Sequence, residues 1–250
     1  MFRNLLLFAL LAISVATSAT TLDVTLDGRP TQVEVFTPPA PTRNAVVLVH
    51  GFMRSRATMA GHAQALAREG VTAIAPEMPY WADSRDNARA LIDLVAQLRR
   101  GEIAGPIERV VLVGFSAGGL AALLAASAPG VVGYVGLDAF DRPGRIGLEA
   151  ARQLKLPSKL LRAPPSFCNA YGMAAPWASV LPPPTEDRLI DGATHCDFES
   201  PTDRACTLFC GAADPARQRI VRQTLIDAVH AWLLAPSQQA RRGPTRASSG

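Results

Sequence analysis

The sequence predicts an α/β fold in which a mostly parallel central sheet is covered by helices on both faces. Three observations carry that prediction. Apolar runs of strand length alternate with helix-like runs at the spacing of βαβ units. The 250 residues are 48% hydrophobic and 18% charged, which suits one domain with a sizeable core. The apolar run Val110-Val111-Leu112-Val113 passes through Gly114-Phe115-Ser116-Ala117-Gly118-Gly119 straight into the Ala/Leu-rich stretch Leu120–Ala126, a strand, a sharp turn and a helix in that order.

Taken from the start, Arg3 precedes the apolar run Leu5–Val15, and the small residues Thr17-Ser18-Ala19 follow. Basic n-region, short h-region and small-residue site describe a signal peptide over 1–19, cut after Ala19, and the run is too short for a comfortable membrane span. No other stretch is long and apolar enough to cross a bilayer, so the expectation is a periplasmic or secreted protein with no transmembrane segment after cleavage. The domain then occupies 20–235. Leu22–Leu26 and Gln32–Phe36 alternate about Asp27-Gly28, which reads as a hairpin. After the loop Pro38-Pro39-Ala40-Pro41, Ala45–Val49 is a buried strand that ends in His50-Gly51-Phe52-Met53. A helix over Thr58–Glu69 stops at Gly70, Val71–Ala75 is the next strand, and Asp86–Arg100 is a helix with Leu91, Leu94, Val95 and Leu98 on one face. Beyond the Ser116 turn, Val131–Leu137 is a buried strand leading into Asp138-Ala139-Phe140-Asp141. A helical stretch over Gly147–Lys155, a strand over Lys159–Ala163, and Arg188-Leu189-Ile190 bring the chain to Ala193-Thr194-His195-Cys196-Asp197-Phe198. The last helix runs over Ala216–Leu234. Neither an internal repeat nor a composition shift marks a second domain, and the segments between the late strands are too short for a large lid. Residues 236–250, rich in Pro, Ser, Gln and Arg, read as a disordered basic tail.

Charge and cysteines narrow the partners. The formal charge is +4, with much of the excess in Arg241, Arg242 and Arg246 of the tail. Three arginines without interleaved aromatics are a solvated face, and no nucleic-acid motif is present. Cys168, Cys196, Cys206 and Cys210 form an even set in an exported chain, which predicts two disulfides of open connectivity that pin loops around the site rather than the sheet. No CxxC pair is present to favour zinc, so no metal and no cofactor is expected.

The chemistry sits at the turn. In Gly114-Phe115-Ser116-Ala117-Gly118 the serine is held at the tip of a strained bend, and the residues two before and two after it have no room for a large Cβ. A serine hydroxyl attacks a carbonyl only when a base takes its proton and a carboxylate orients the base. His195 follows every acid candidate in the chain order Ser, acid, His, whereas His50, His62 and His230 sit elsewhere. For the acid, the residues after the Lys159–Ala163 strand contain no carboxylate, while Asp138 lies at the carboxyl end of an apolar strand, where ligand-facing groups of open α/β sheets gather. Asp141 is the substitute, placed one turn further out in a more solvated position, and Asp187 and Asp191 are outsiders. Backbone N–H groups of Phe52 and Ala117 are placed to receive an oxyanion. Met53, Tyr80 and Trp81 follow strand ends and are candidates for lining an acyl pocket.

Gly114-Phe115-Ser116-Ala117-Gly118, His50-Gly51-Phe52, Leu137-Asp138-Ala139-Phe140 and Thr194-His195-Cys196-Asp197-Phe198 together resemble the serine esterases of the α/β-hydrolase superfamily. An Asp 22 positions after the serine, in a Leu-Asp-Ala-aromatic context, is similar to the platelet-activating-factor acetylhydrolases and chlorophyllases, and His followed by Asp-Phe resembles the dienelactone hydrolase-like esterases. The resemblance spans roughly Val33 to Leu234. It implies an α/β-hydrolase fold and a triad acid after the earlier strand, in agreement with Asp138. The expected activity is hydrolysis of a small-molecule ester through an acyl-enzyme, with small or flexible esters accepted without an oil interface. An amidase or thioesterase using the same triad, and a non-catalytic binding protein on the same fold, are the alternatives. Substrate identity and oligomeric state stay open at this level.

Overall fold

The structure, a computed structural model, describes residues 17–234. The basic tail and all of the expected leader before residue 17 lie outside the described residues. Eight strands form one sheet in the order β1-β2-β4-β3-β5-β6-β7-β8. They are β1 (Ser18–Leu26), β2 (Arg29–Thr37), β3 (Asn44–Val49), β4 (Thr72–Pro76), β5 (Arg109–Phe115), β6 (Val131–Leu137), β7 (Ser158–Arg162) and β8 (Thr185–Leu189). β2 runs antiparallel to both of its neighbours, and the pairings from β4 through β8 are parallel. The β1–β2 turn is Asp27-Gly28, both residues at positive φ (49° and 74°), the backbone that a two-residue hairpin requires.

Among the described residues, six helices cover the sheet: α1 (Ala60–Arg68), α2 (Ser84–Arg100), α3 (Ala117–Ala125), α4 (Ile146–Gln153), α5 (Arg204–Cys210) and α6 (Pro215–Leu233). Side chains alternate across the central strands, so each strand feeds two cores. Val47, Val49 and Leu112 pack with Leu91, Leu94 and Leu98 of α2 and Leu120 of α3 on one face. Val46, Leu48, Val111 and Val113 pack with Leu66 of α1 and Val221, Leu225 and Val229 of α6 on the other. A strand buried on both faces reads as a continuous apolar run, which is why β3 and β5 stand out in the sequence.

Local chemistry sets the helix ends. The Asp83 carboxylate accepts from the N–H groups of Arg85 and Asp86, and this cap starts α2 at Ser84, two residues before the sequence expectation. Asp214 caps α6 in the same way, with Pro215 in the first position, where its missing N–H costs nothing. The helix expected over Thr58–Glu69 divides into a 3-10 turn, Arg56–Met59, and α1.

Candidate active site

β5 delivers Ser116 at φ 52° and ψ −123°, a strained conformation for a residue with a side chain, and α3 begins at the next residue. The glycines around it are sterically required. A Cβ on Gly114 would lie 2.3 Å from the Gly118 carbonyl oxygen, and one on Gly118 would lie 2.3 Å from that of His50. Gly119 carries a third such constraint, 2.7 Å from the Ala139 Cβ. Strand, helix and the residues after β3 and β6 therefore meet at backbone contact around one serine.

Asp138 ends β6 at φ 40°, and its N–H donates to Leu161 O at 2.7 Å. His195 Nδ1 lies 2.6 Å from Asp138 Oδ2. A carboxylate only accepts, so the proton of this bond is on Nδ1, and Nε2 of the neutral ring keeps its lone pair. The ring also packs on Phe115, 4.5 Å between centroids. Both members are buried. Asp138 Oδ1 accepts from the Ala163 N–H at 2.9 Å, and the Asn169 amide donates to Oδ1 and Oδ2 at 3.2 and 3.3 Å. Phe140 N–H donates to Ser116 O at 3.0 Å, tying the residues after β6 to the turn.

Asp141 departs from expectation. It is buried rather than solvated, and its carboxylate accepts from Gly147 N–H, Leu148 N–H and the Trp177 indole N–H. It serves the N-terminus of α4, an anion where the helix dipole favours one. Asp187 pairs with Arg162 at 2.6 Å. Of the other histidines, His62 Nε2 donates to Phe198 O at 3.1 Å, and His230 lies 3.7 Å from Glu69.

His50-Gly51-Phe52-Met53 turns over the serine, since a Cβ on Gly51 would stand 3.0 Å from the Ser116 Cβ. The turn closes with Arg54 N–H donating to Gly51 O, and Met53 sits at φ 56°. Phe52 is thus its first central residue, whose N–H the turn's own hydrogen bond leaves free. Ala117 opens α3, so its N–H has no acceptor within the helix. His50 braces this loop: Nδ1 donates to Gly51 O at 2.8 Å and Nε2 accepts from Met78 N–H at 3.1 Å. Met53 and Trp81 are exposed, with Trp81 against Phe52 at 4.9 Å between ring centroids. Tyr80 is engaged elsewhere, its hydroxyl donating to Asp27 Oδ2 at 2.8 Å beneath the Arg29 guanidinium.

The cysteines pair as Cys168–Cys210 and Cys196–Cys206. Both bridges end on α5. One joins it to the residue after His195, the other to the residue before Asn169. Two further anchors hold the histidine loop. Asp197, fully buried, accepts from Thr194 N–H, Asp214 N–H and Arg217 Nε. Glu199, also fully buried, takes a bidentate bond from Arg54 at 2.6 and 2.9 Å, and Arg54 also reaches Asp203 at 3.0 Å. Arg54 thereby links the loop of Phe52 to the loop of His195. Sequence reading missed Asn169, Arg54 and Glu199, although a carboxylate and an asparagine beside otherwise apolar loop segments were the available signals.

The profile of the alpha/beta hydrolase family matches residues 46–246, well over half of the chain. Among solved structures, a dienelactone hydrolase from Anabaena variabilis is similar at 18% identity and a TM-score of 0.71, over 87% of this chain and 99% of that one. An esterase from Pyrococcus furiosus is similar at 14% identity and TM-score 0.64, over 87% and 94% of the two chains. The esterase domain of a Rhodothermus marinus protein is similar at 15% and 0.65, over 86% and 99%. At these identities the likeness is one of fold. No curated protein matches the sequence.

Proposed function

The chain belongs to the alpha/beta hydrolase family, and on that premise we propose that it is an exported serine hydrolase that cleaves carboxylic esters through an acyl-enzyme. One observation carries the reading: the 2.6 Å contact between His195 Nδ1 and Asp138 Oδ2, with the His195 ring packed on Phe115, the neighbour of a serine held on a strained strand–helix turn. In this reading Ser116 Oγ attacks the ester carbonyl carbon while His195 Nε2 takes its proton. Asp138 holds the ring in the productive tautomer and stabilises the imidazolium. The Phe52 and Ala117 N–H groups receive the oxyanion, the latter aided by the positive end of α3. Collapse of the tetrahedral intermediate expels the alcohol, which takes the proton from His195. Water then repeats the sequence on the acyl-serine and releases the acid. Met53 and Trp81 are the apolar groups beside the acyl position. Two disulfides support an oxidising compartment, periplasmic or extracellular, and among the described residues no helix is long and apolar enough to cross a membrane.

The test is covalent labelling with a fluorophosphonate, wild type beside Ser116→Ala, His195→Ala and Asp138→Asn. Labelling is expected to vanish in the serine variant and to slow sharply in the other two. Full labelling of Asp138→Asn would remove Asp138 from its role. A folded wild type that does not label would leave a binding protein on a hydrolase fold. A chromogenic ester compared with its matched anilide separates esterase from amidase.

A further inference from the structure

The two bridges stand closer together than anchoring α5 requires. The sulfurs of Cys196, Cys206 and Cys210 lie within 4.8 Å of one another. A non-bonded contact takes about 3.5 Å, so no third atom separates one bridge from the other. The bridges also differ in access. Cys196 is fully buried and Cys206 nearly so, whereas Cys168 and Cys210 are half-buried beside the exposed Phe167 and Phe209. A dissolved thiol therefore reaches the Cys168–Cys210 bridge and is kept from the Cys196–Cys206 bridge.

Helix geometry decides where a thiolate freed on Cys210 goes. Cys206 and Cys210 stand four apart on α5, a spacing that holds their Cβ atoms about 5–6 Å apart. A disulfide spans about 3.5–4.5 Å between Cβ atoms, so these two are poorly placed to bond with each other. Cys196 lies outside the helix, in the turn His195–Phe198, and already bonds to α5 through Cys206. It is the sulfur within reach of Cys210.

We propose that the two bridges form one thiol–disulfide exchange unit, with Cys168 the modification site for a low-molecular-weight thiol and Cys196 the internal target. The incoming thiolate attacks Cys168 Sγ. Their S–S bond forms as the Cys168–Cys210 bond breaks, and the electron pair stays on Cys210. The Cys210 thiolate then attacks Cys196 Sγ. The Cys196–Cys206 bond breaks, and Cys206 leaves as a thiolate that takes up the proton the incoming thiol gave up. Two S–S bonds break and two form, so the exchange is redox-neutral. The bridge beside His195 thereby moves four residues, about 6 Å, along α5. Modification at the surface is carried in this way to the histidine loop.

This sulfur chemistry does not depend on Ser116 being a nucleophile, and its readout is a peptide map rather than turnover. The oxidised full chain is incubated with glutathione at neutral pH, quenched in acid with N-ethylmaleimide, and its peptides are mapped by mass spectrometry. Glutathione is expected on Cys168 and maleimide on Cys206, together with a new Cys196–Cys210 pair. Two bridges that stay intact overturn the proposal. So does maleimide on Cys210 beside an unchanged Cys196–Cys206 pair, glutathione on Cys210, or maleimide on Cys196. Cys168→Ser gives a second measurement without added thiol, because it leaves Cys210 unpaired from the start. Maleimide should then divide between Cys206 and Cys210 in amounts within about tenfold of each other, as both bonds tie the same helix to Cys196. Maleimide on Cys210 alone in that variant overturns the exchange. In Cys210→Ser, which removes the attacking sulfur, maleimide should stay on Cys168, and its appearance on Cys206 would show that exchange does not pass through Cys210.

Discussion

Acidification should destabilise this protein through His62. The imidazole, carried by α1, is fully buried, and burial, reinforced by the Arg222 charge and opposed by the bond to Phe198 O, lowers its pKa from 6.5 to about 4. In the unfolded chain the same ring titrates at its ordinary value. Between those two values the unfolded state binds more protons than the native state. The contribution of His62 is therefore complete above pH 6.5 and is lost as pH falls towards 4. At about 1.4 kcal/mol per pH unit the whole effect is about 3 kcal/mol, and about 2 kcal/mol of it is lost between about pH 7.5 and pH 5. The assay is urea unfolding at those two pH values, wild type beside His62→Gln, with the disulfides intact. The glutamine amide can still donate to the Phe198 carbonyl but does not titrate. Carboxylates whose pKa is held low, such as Asp203 through its bonds from Cys206 N–H and Arg54, act equally in both proteins. The wild type should lose about 2 kcal/mol more than the variant. Equal losses, or a His62 resonance titrating near its ordinary value in the native protein, would refute the reasoning.

Four further outcomes are expected. Asp138→Asn should lower kcat on a soluble ester by on the order of 10⁴-fold with little change in KM, because the amide favours the wrong histidine tautomer; a loss below tenfold would argue against it. Asn169→Ala removes a donor to that carboxylate and should lower kcat about tenfold, read by steady-state kinetics with circular dichroism as the folding control. Arg54→Ala strands the buried Glu199 carboxylate and should cost about 3 kcal/mol in urea unfolding, whereas removing both charges as Arg54→Met/Glu199→Leu should recover much of it. Replacing Cys168 and Cys210 by serine opens a loop of sequence separation 42, and the chain-entropy relation puts the loss of stability at about 4 kcal/mol, measurable by thermal unfolding.

Most of the sheet was legible because β3, β5 and β6 are buried on both faces, and burial writes itself as unbroken apolar runs. β8 was legible only at its last residues: Thr185-Glu186-Asp187-Arg188-Leu189 is an edge strand in contact with solvent, and its composition resembles a loop. α5 left no signal, since it is short, and Leu208 and Phe209 face outward where an amphipathic pattern would have put polar groups. Its position is held by sulfur rather than by an apolar face. The candidates Ser116, Asp138 and His195 were chosen on chain order and on the strand ends before Ser116 and Asp138, and the structure brings Asp138 and His195 into contact. Burial of Asp141 was not legible, because the Trp177 indole that bonds it arrives from 36 residues away. Asn169 and the Arg54–Glu199 pair were hidden for the same reason: their partners lie 31 and 145 residues distant, and local spacing holds no trace of such contacts.

The division of labour between glycine contacts and sulfur bridges shapes how this scaffold can diversify. Gly114, Gly118 and Gly119 leave no space for mutational drift around the serine. The outward segments, in contrast, are secured by two covalent links, and their exposed side chains Phe167, Tyr171, Leu208 and Phe209 contribute little to folding. A library randomised at positions 167, 171, 208 and 209 should therefore return mostly folded members, and selection on it could alter substrate preference without disturbing the sheet.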